Sequence, residues 1–135
     1  MANYSDGLTN LDLPRYLEHV RKQDKIGAFI AVRPTYSFHV VNVGEDGQVR
    51  GIRAVGDADL WINGGFFVFK RGIFDVIRPG EDLVREPFSR LIEANQLTSY
   101  RHEGFWACMD TFKDKQLFDD MDARGERPWE VWRTH

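Results

Sequence analysis

Apolar side chains in this chain follow two alternating rhythms. Leu13, Leu17 and Val20 recur at helical spacing behind Asp12, a good N-cap, and Pro14, which suits a first turn; the pattern predicts a helix to about Gln23. Ile26 to Val32 (IGAFIAV) is a continuous apolar run bounded by charge and by Pro34, the pattern of a strand buried on both faces. YSFHVVNV and VRGIRAV flank Glu45-Asp46-Gly47-Gln48, where Asp-Gly signals a hairpin. A further strand is expected in GGFFVF, centred on Gly65 to Phe69, and a short helix over Gly72 to Ile77, stopped by Pro79-Gly80. Leu83 to Ala94 places Val84, Phe88 and Leu91 at helical spacing, and Leu97 to Glu103 reads as extended. Thr111 and Asp114 match a capping box, opening a helix that carries Leu117, Phe118 and Met121 and stops before Gly125. The tail RPWEVW is expected to lay Trp129 and Trp132 on a surface of the protein itself or of a partner. The alternation of strands and helices assigns the chain to the α/β class.

At 135 residues, with no repeat, low-complexity stretch or linker, the chain is sized for one domain around one core. The net charge of -3 is made of interspersed signs, which argues against nucleic acid as a partner, since such surfaces concentrate Lys and Arg. Apolar runs such as Phe66 to Phe69 are too short to span a bilayer, and the first residues lack the basic and apolar regions of a secretion signal. Cys108 is the sole cysteine, so there is neither an internal disulfide nor a cysteine cluster for zinc; a reducing cytoplasm is the expected compartment.

Three stretches carry more character than packing requires. Tyr4-Ser5-Asp6-Gly7 is a turn that presents a carboxylate, and by itself it reads as a solvated turn. In WINGGFFVF (Trp61 to Phe69), Asn63-Gly64-Gly65 sets an amide and two Cβ-free residues at the head of an apolar segment. Glycine there either lets a hydroxylated ligand such as a sugar approach the backbone, or makes a bulge. In GFWACMDTFKDKQ (Gly104 to Gln116), Asp110 lies just before a helix, where a carboxylate serves as well for capping as for catalysis. Phe105 and Trp106 are placed to wall off a site, while Lys113 and Lys115 read as a solvated face. His19, His39, His102 and His135 have no metal-ligand spacing, and Cys108 lacks an activating base, so it reads as a packed thiol.

YSDG, INGGFFVF (Ile62 to Phe69), EPF (Glu86 to Phe88), GFWACMDTFKDKQ and PWEVW occur in the order found in the second half of sugar-1-phosphate nucleotidyltransferases. Over essentially its whole length the chain resembles that family, and within it the glucose-1-phosphate cytidylyltransferase type. The resemblance implies a Rossmann-like (GT-A-like) mixed sheet with flanking helices, here its C-terminal portion and incomplete at the N-terminus. It implies that Asp6 and Asp110 are the catalytic carboxylates that hold Mg²⁺, an ion that favours hard oxygen ligands. Asn63 and Gly64 match positions that contact the sugar, and Gly65 and Trp106 complete the implied substrate-binding set. The implied substrates are a sugar 1-phosphate and a nucleoside triphosphate, CTP for this type. The sugar phosphate would attack the α-phosphorus in line, and pyrophosphate would leave.

Two features of the family are missing. No segment matches the glycine-rich L-A-G-G-x-G-T-R loop whose N–H groups cradle the triphosphate. The 135 residues by themselves are therefore expected to be inactive or nearly so, with Asp6 deprived of the strand that would aim it. The Glu-Lys-Pro segment usual upstream of Asn-Gly-Gly, whose lysine meets the sugar phosphate, is replaced by GIRAVGDADLW, in which Arg53 is the candidate for that charge. The alternative expectation is a non-catalytic sugar-phosphate-binding remnant, or a subunit that forms homo-oligomers or pairs with a separate N-terminal half.

Overall fold

In the computed structural model, which describes residues 1–133, the chain is organised around strand β2 (Gly27–Val32). Before it come β1 (Gly7–Thr9) and helix α1 (Leu13–Gln23). After it follow β3 (His39–Val43), β4 (Val49–Ala54), β5 (Ile62–Asn63), β6 (Val68–Phe69), α2 (Glu86–Glu93), β7 (Leu97–His102), β8 (Trp106–Cys108) and α3 (Phe112–Ala123). The apolar run of β2 is buried almost throughout because it has neighbours on both edges and both faces. On one edge β7 runs parallel to it, in register from Gly27↔Leu97 to Val32↔His102. On the other edge β5 and β6 pair antiparallel to it in turn. The result is the expected mixed α/β arrangement, a mixed sheet with three helices among the described residues.

The sequence placed α1 correctly. Asp12 accepts a hydrogen bond from the Arg15 N–H at 3.0 Å, and the helix ends where Asp24 turns left-handed at φ 53°. α1 lays Tyr16, fully buried, against Leu11, Ile30 and Val32. On the other side α2 sets Phe88 and Leu91 against Phe67, Ile73 and Phe29. Each such buried apolar side chain contributes roughly 1.5–3 kcal/mol. Pro87 and Phe88 of the EPF motif are thus core residues that open a helix.

The expected strand over Gly65 to Phe69 does not form as one element. Between the pairs Ala31↔Asn63 and Ala28↔Val68, β2 advances 3 residues while its partner advances 5, so two extra residues bulge out. The bulge holds Gly65 at φ 77° and Phe66 at φ 51°, a left-handed region that costs a bulky residue energy. Both polar groups of Phe66 are clamped: its N–H donates to Asn3 Oδ1 at 2.8 Å, and its carbonyl accepts from Tyr16 Oη at 2.7 Å. Two further expectations are narrowed. The helix read over 83–94 covers only Glu86–Glu93, and the one read over 72–77 is a 3-10 turn, Arg71–Asp75.

Strands β1 and β8 had no counterpart in the sequence pattern. They pair antiparallel, Gly7↔Cys108 through Thr9↔Trp106. Thr9 Oγ1 donates to the Phe105 carbonyl at 2.7 Å, and His102 Nε2 lies 3.1 Å from both that oxygen and Thr9 Oγ1, which ties the ribbon to the end of β7. β3 and β4 make the expected hairpin as a separate two-stranded ribbon, with Val41, Val43, Val49 and Ile52 exposed. Trp129 packs on Phe105 and Phe118 of its own chain, while Trp132 is 72% exposed. His135 lies outside the described residues.

Candidate active site

The β1–β8 ribbon brings the two predicted carboxylates together. Asp6 precedes β1 and Asp110 follows β8, so antiparallel pairing sets them at the same end of the ribbon, where the Met109 N–H donates to the Asp6 carbonyl at 2.9 Å. Both residues line one cleft of about 340 Å³, together with Asn63, Gly64 and Trp106. Asp6 is aimed on both sides. Ala2 exchanges two backbone hydrogen bonds with Phe67 before the turn, and β1 pairs with β8 after it. The expectation that Asp6 had lost its support is thereby corrected: the supporting strand follows the turn.

Asp110 is not used up in capping. The capping box of α3 is made by Thr111 and Asp114, whose carboxylate also accepts from the Asp110 N–H at 3.2 Å. The Thr111 hydroxyl, first among its partners, holds the Asp114 carboxyl below the usual range. The carboxylate of Asp110 accepts only the Cys108 thiol, at 3.3 Å, among the described residues. Burial first, then that hydrogen bond and the charges of Asp110, Asp6 and Asp114, push the Cys108 thiol up to about 11. Such a thiol stays protonated and is a poor nucleophile, in keeping with its reading as a packed residue.

The glycine pair faces the protein more than the cleft. A Cβ on Gly64 would sit 2.9 Å from Ile30 Cγ1 and 2.9 Å from Val32 Cγ1, and one on Gly65 would sit 2.5 Å from Asn3 Oδ1. Both glycines therefore let chain segments pack closely. What Gly64 offers the cleft is backbone, and its carbonyl already accepts from Trp106 Nε1 at 2.9 Å. Asn63 Oδ1 accepts from the Gly65 N–H at 2.9 Å, and its amide donates to Tyr4 Oη at 3.1 Å. Asn63 is therefore oriented in advance rather than free.

The sequence missed Asn3, Tyr4 and Tyr36 as cleft residues. Tyr4 opens the YSDG motif, but only the bulge explains why it stands beside Asn63. Arg53 faces Val40 on the β3–β4 ribbon and lines a different hollow with Asn42 and Ile52, so it is not the cleft's cation. Lys115 pairs with Asp119 along α3, the solvated role expected of it, whereas Lys113 lines a hollow shared with Tyr36 and Trp106. Among the described residues there is no group of three or more metal-ligating side chains, and no helix is long and apolar enough to cross a membrane.

The fold and the sequence resemble the C-terminal half of sugar-1-phosphate nucleotidyltransferases. No family model matches it. The particular relatives are glucose-1-phosphate cytidylyltransferases. The proteins of that name from Salmonella typhi and Salmonella typhimurium are each 30% identical over 134 residues, covering 98% of this chain and 52% of their own length. The chain thus spans about half the length of the curated relatives it matches. A solved structure from Bacillus anthracis, described as a glucose-1-phosphate thymidylyltransferase in complex with sucrose, superposes with a TM-score of 0.58 at 15% identity. It covers 86% of this chain and 51% of that one, and it supports the fold.

Proposed function

We propose that this chain forms the sugar-phosphate side of a sugar-1-phosphate nucleotidyltransferase site, in an enzyme joining glucose 1-phosphate to CTP to give CDP-glucose and pyrophosphate. The observation that carries the reading is the convergence of Asp6 and Asp110, 104 positions apart, on one cleft with Asn63 and Trp106. Two hard-oxygen donors without a third suit Mg²⁺, which keeps waters and substrate phosphates in its remaining positions. When bound, that ion neutralises phosphate charge and aligns the reacting groups. Asp6 and Asp110 would hold it. Asn63, fixed by Tyr4 and the Gly65 N–H, would orient a sugar hydroxyl, and Trp106 would exclude water from one side. No side chain needs to form a covalent bond with the substrate.

The test has two parts. The chain is titrated with Mn²⁺ in place of Mg²⁺ and followed by water-proton relaxation, with and without glucose 1-phosphate. Binding lost in both Asp6→Asn and Asp110→Asn supports the pair, and binding retained in both refutes it. Pyrophosphate release is then assayed with CTP; the 135 residues by themselves should give none, because no glycine-rich loop lies within them. Robust turnover would overturn that part. A second reading, an assembling subunit, is favoured by the apolar stripe on the β3–β4 ribbon, where Val49 is 64% and Ile52 65% exposed. Sedimentation with Ile52→Lys checks it, since a dimer indifferent to that charge would exclude the stripe. We propose a cytoplasmic location, because the sole cysteine of these 135 residues, Cys108, is a free thiol that suits a reducing compartment.

A further inference from the structure

With Arg53 out of the cleft, a phosphate there lacks the cation it was assigned. Another pair of cations stands next door. The guanidinium groups of Arg33 and Arg101 both lie over the indole of Trp61, 4.5 and 5.1 Å from the ring centroid. The register puts them there. Arg33 is the first residue beyond β2, and Arg101 pairs with Ala31 one residue before the end of β7. Both side chains therefore leave the carboxyl ends of the two parallel strands, the edge at which α/β sheets bind ligands. Trp61 immediately precedes β5, whose Ile62 pairs with Val32 and lines the candidate cleft.

This cluster has more donors than acceptors. Among the described residues, Arg101 has no carboxylate within ion-pair distance, and Arg33 has only Asp59, at 3.9 Å, with that side chain 90% exposed. Arg33 also makes a long bond of 3.4 Å to the Ala58 carbonyl. The Trp61 indole N–H is buried and has no acceptor. Two like charges gathered on one ring repel each other, and a multivalent oxyanion relieves that repulsion while accepting from both forks. Arg33 lines a cavity of about 320 Å³ with Thr35, His102 and Glu103, and Trp106 is the wall that this cavity shares with the cleft.

We propose that Arg33 and Arg101, held on Trp61, form a phosphate-recognition site that takes the phosphoryl group of a sugar phosphate whose ring occupies the adjoining cleft. The sugar part rests on the function proposed above, while the anion part does not. The full chain is titrated calorimetrically with inorganic phosphate, glucose 1-phosphate and uncharged glucose, in chelator without metal. The expected result is saturable, salt-sensitive binding of both phosphates. Arg33→Gln and Arg101→Gln should each weaken it roughly tenfold or more, and Arg33→Lys less, because a charge without the fork remains. Lys22→Gln, which removes a cation paired with Glu18 on the exposed face of α1, should leave phosphate binding unchanged. Circular dichroism melts establish that each variant is folded, and the lysine variant carries the test if a glutamine variant is not. Absence of saturable phosphate binding at millimolar concentration overturns the proposal, as does binding indifferent to both arginines. Arginine-dependent binding of phosphate with no gain for glucose 1-phosphate keeps the anion site and overturns its link to the sugar cleft.

Discussion

Gly64→Ala separates two reasons for a glycine beside a cleft. If the residue serves close packing, an added methyl harms folding; if it serves ligand access, the methyl harms only binding. The new Cβ would stand 2.9 Å from Ile30 Cγ1, 2.9 Å from Val32 Cγ1 and 3.2 Å from Ile30 Cδ1. Carbon pairs settle at about 3.5–4.0 Å, so two contacts overlap by roughly 0.6 Å or more. Both neighbours are buried β-branched residues on the central strand, Ile30 at 0% and Val32 at 2% exposure, and their χ1 angles are stiff. The backbone cannot retreat cheaply either, because the Gly64 N–H donates to the Ile30 carbonyl at 2.8 Å. Overpacking of this kind costs about 1–3 kcal/mol. Urea unfolding should show a lower midpoint with an unchanged slope. Gly56→Ala is the control, since a Cβ there meets nothing within 4 Å and the expected change is within about 0.5 kcal/mol. A Gly64→Ala protein as stable as that control would refute the packing argument and return the glycine to the ligand.

Tyr16→Phe should cost about 1–3 kcal/mol in the same assay, because it strips the half-buried Phe66 carbonyl of its donor; a loss below about 0.5 kcal/mol would mean that the bulge does not depend on this clamp. Cys108 should react slowly with thiol reagents at pH 8. Its pKa is raised in the fold, so the stability it contributes is complete below the ordinary thiol value and is lost as pH rises towards about 11, and Cys108→Ala should flatten that alkaline decline. The Arg90 guanidinium holds the Glu81 carboxyl down to about 2, so its contribution is present above the ordinary carboxylate pKa and fades as pH falls through about 2. Glu81→Gln should remove that acid-side slope in urea midpoints measured against pH; an unaltered slope would place the titration elsewhere.

Elements with a strong local signal were legible in the sequence. Asp12 and Thr111 each cap the helix they were read to cap, IGAFIAV is the buried central strand, and Asp46-Gly47 turns the hairpin. The weak signals failed for identifiable reasons. β1 and β8 are three residues each, too short for periodicity to register, and exist because they pair with each other. GGFFVF was read as a strand with a bulge as one option at its glycines; apolarity cannot fix the bulge at Gly65 and Phe66, which depends on the register against β2 and on partners at Asn3 and Tyr16.

By itself, then, the order of residues determined the α/β class, the central strand, the helix starts and the kinship carried by the Asp6 and Asp110 motifs. Capping, burial and turn chemistry act within a few residues, so they are written locally. Whether those two carboxylates share a cleft, which way a glycine's missing side chain points, and that Arg33 and Arg101 gather on Trp61 while Arg53 lies on the β3–β4 ribbon were decided only in three dimensions. Each depends on strand register, and a one-residue slip would turn every one of those side chains to the opposite face.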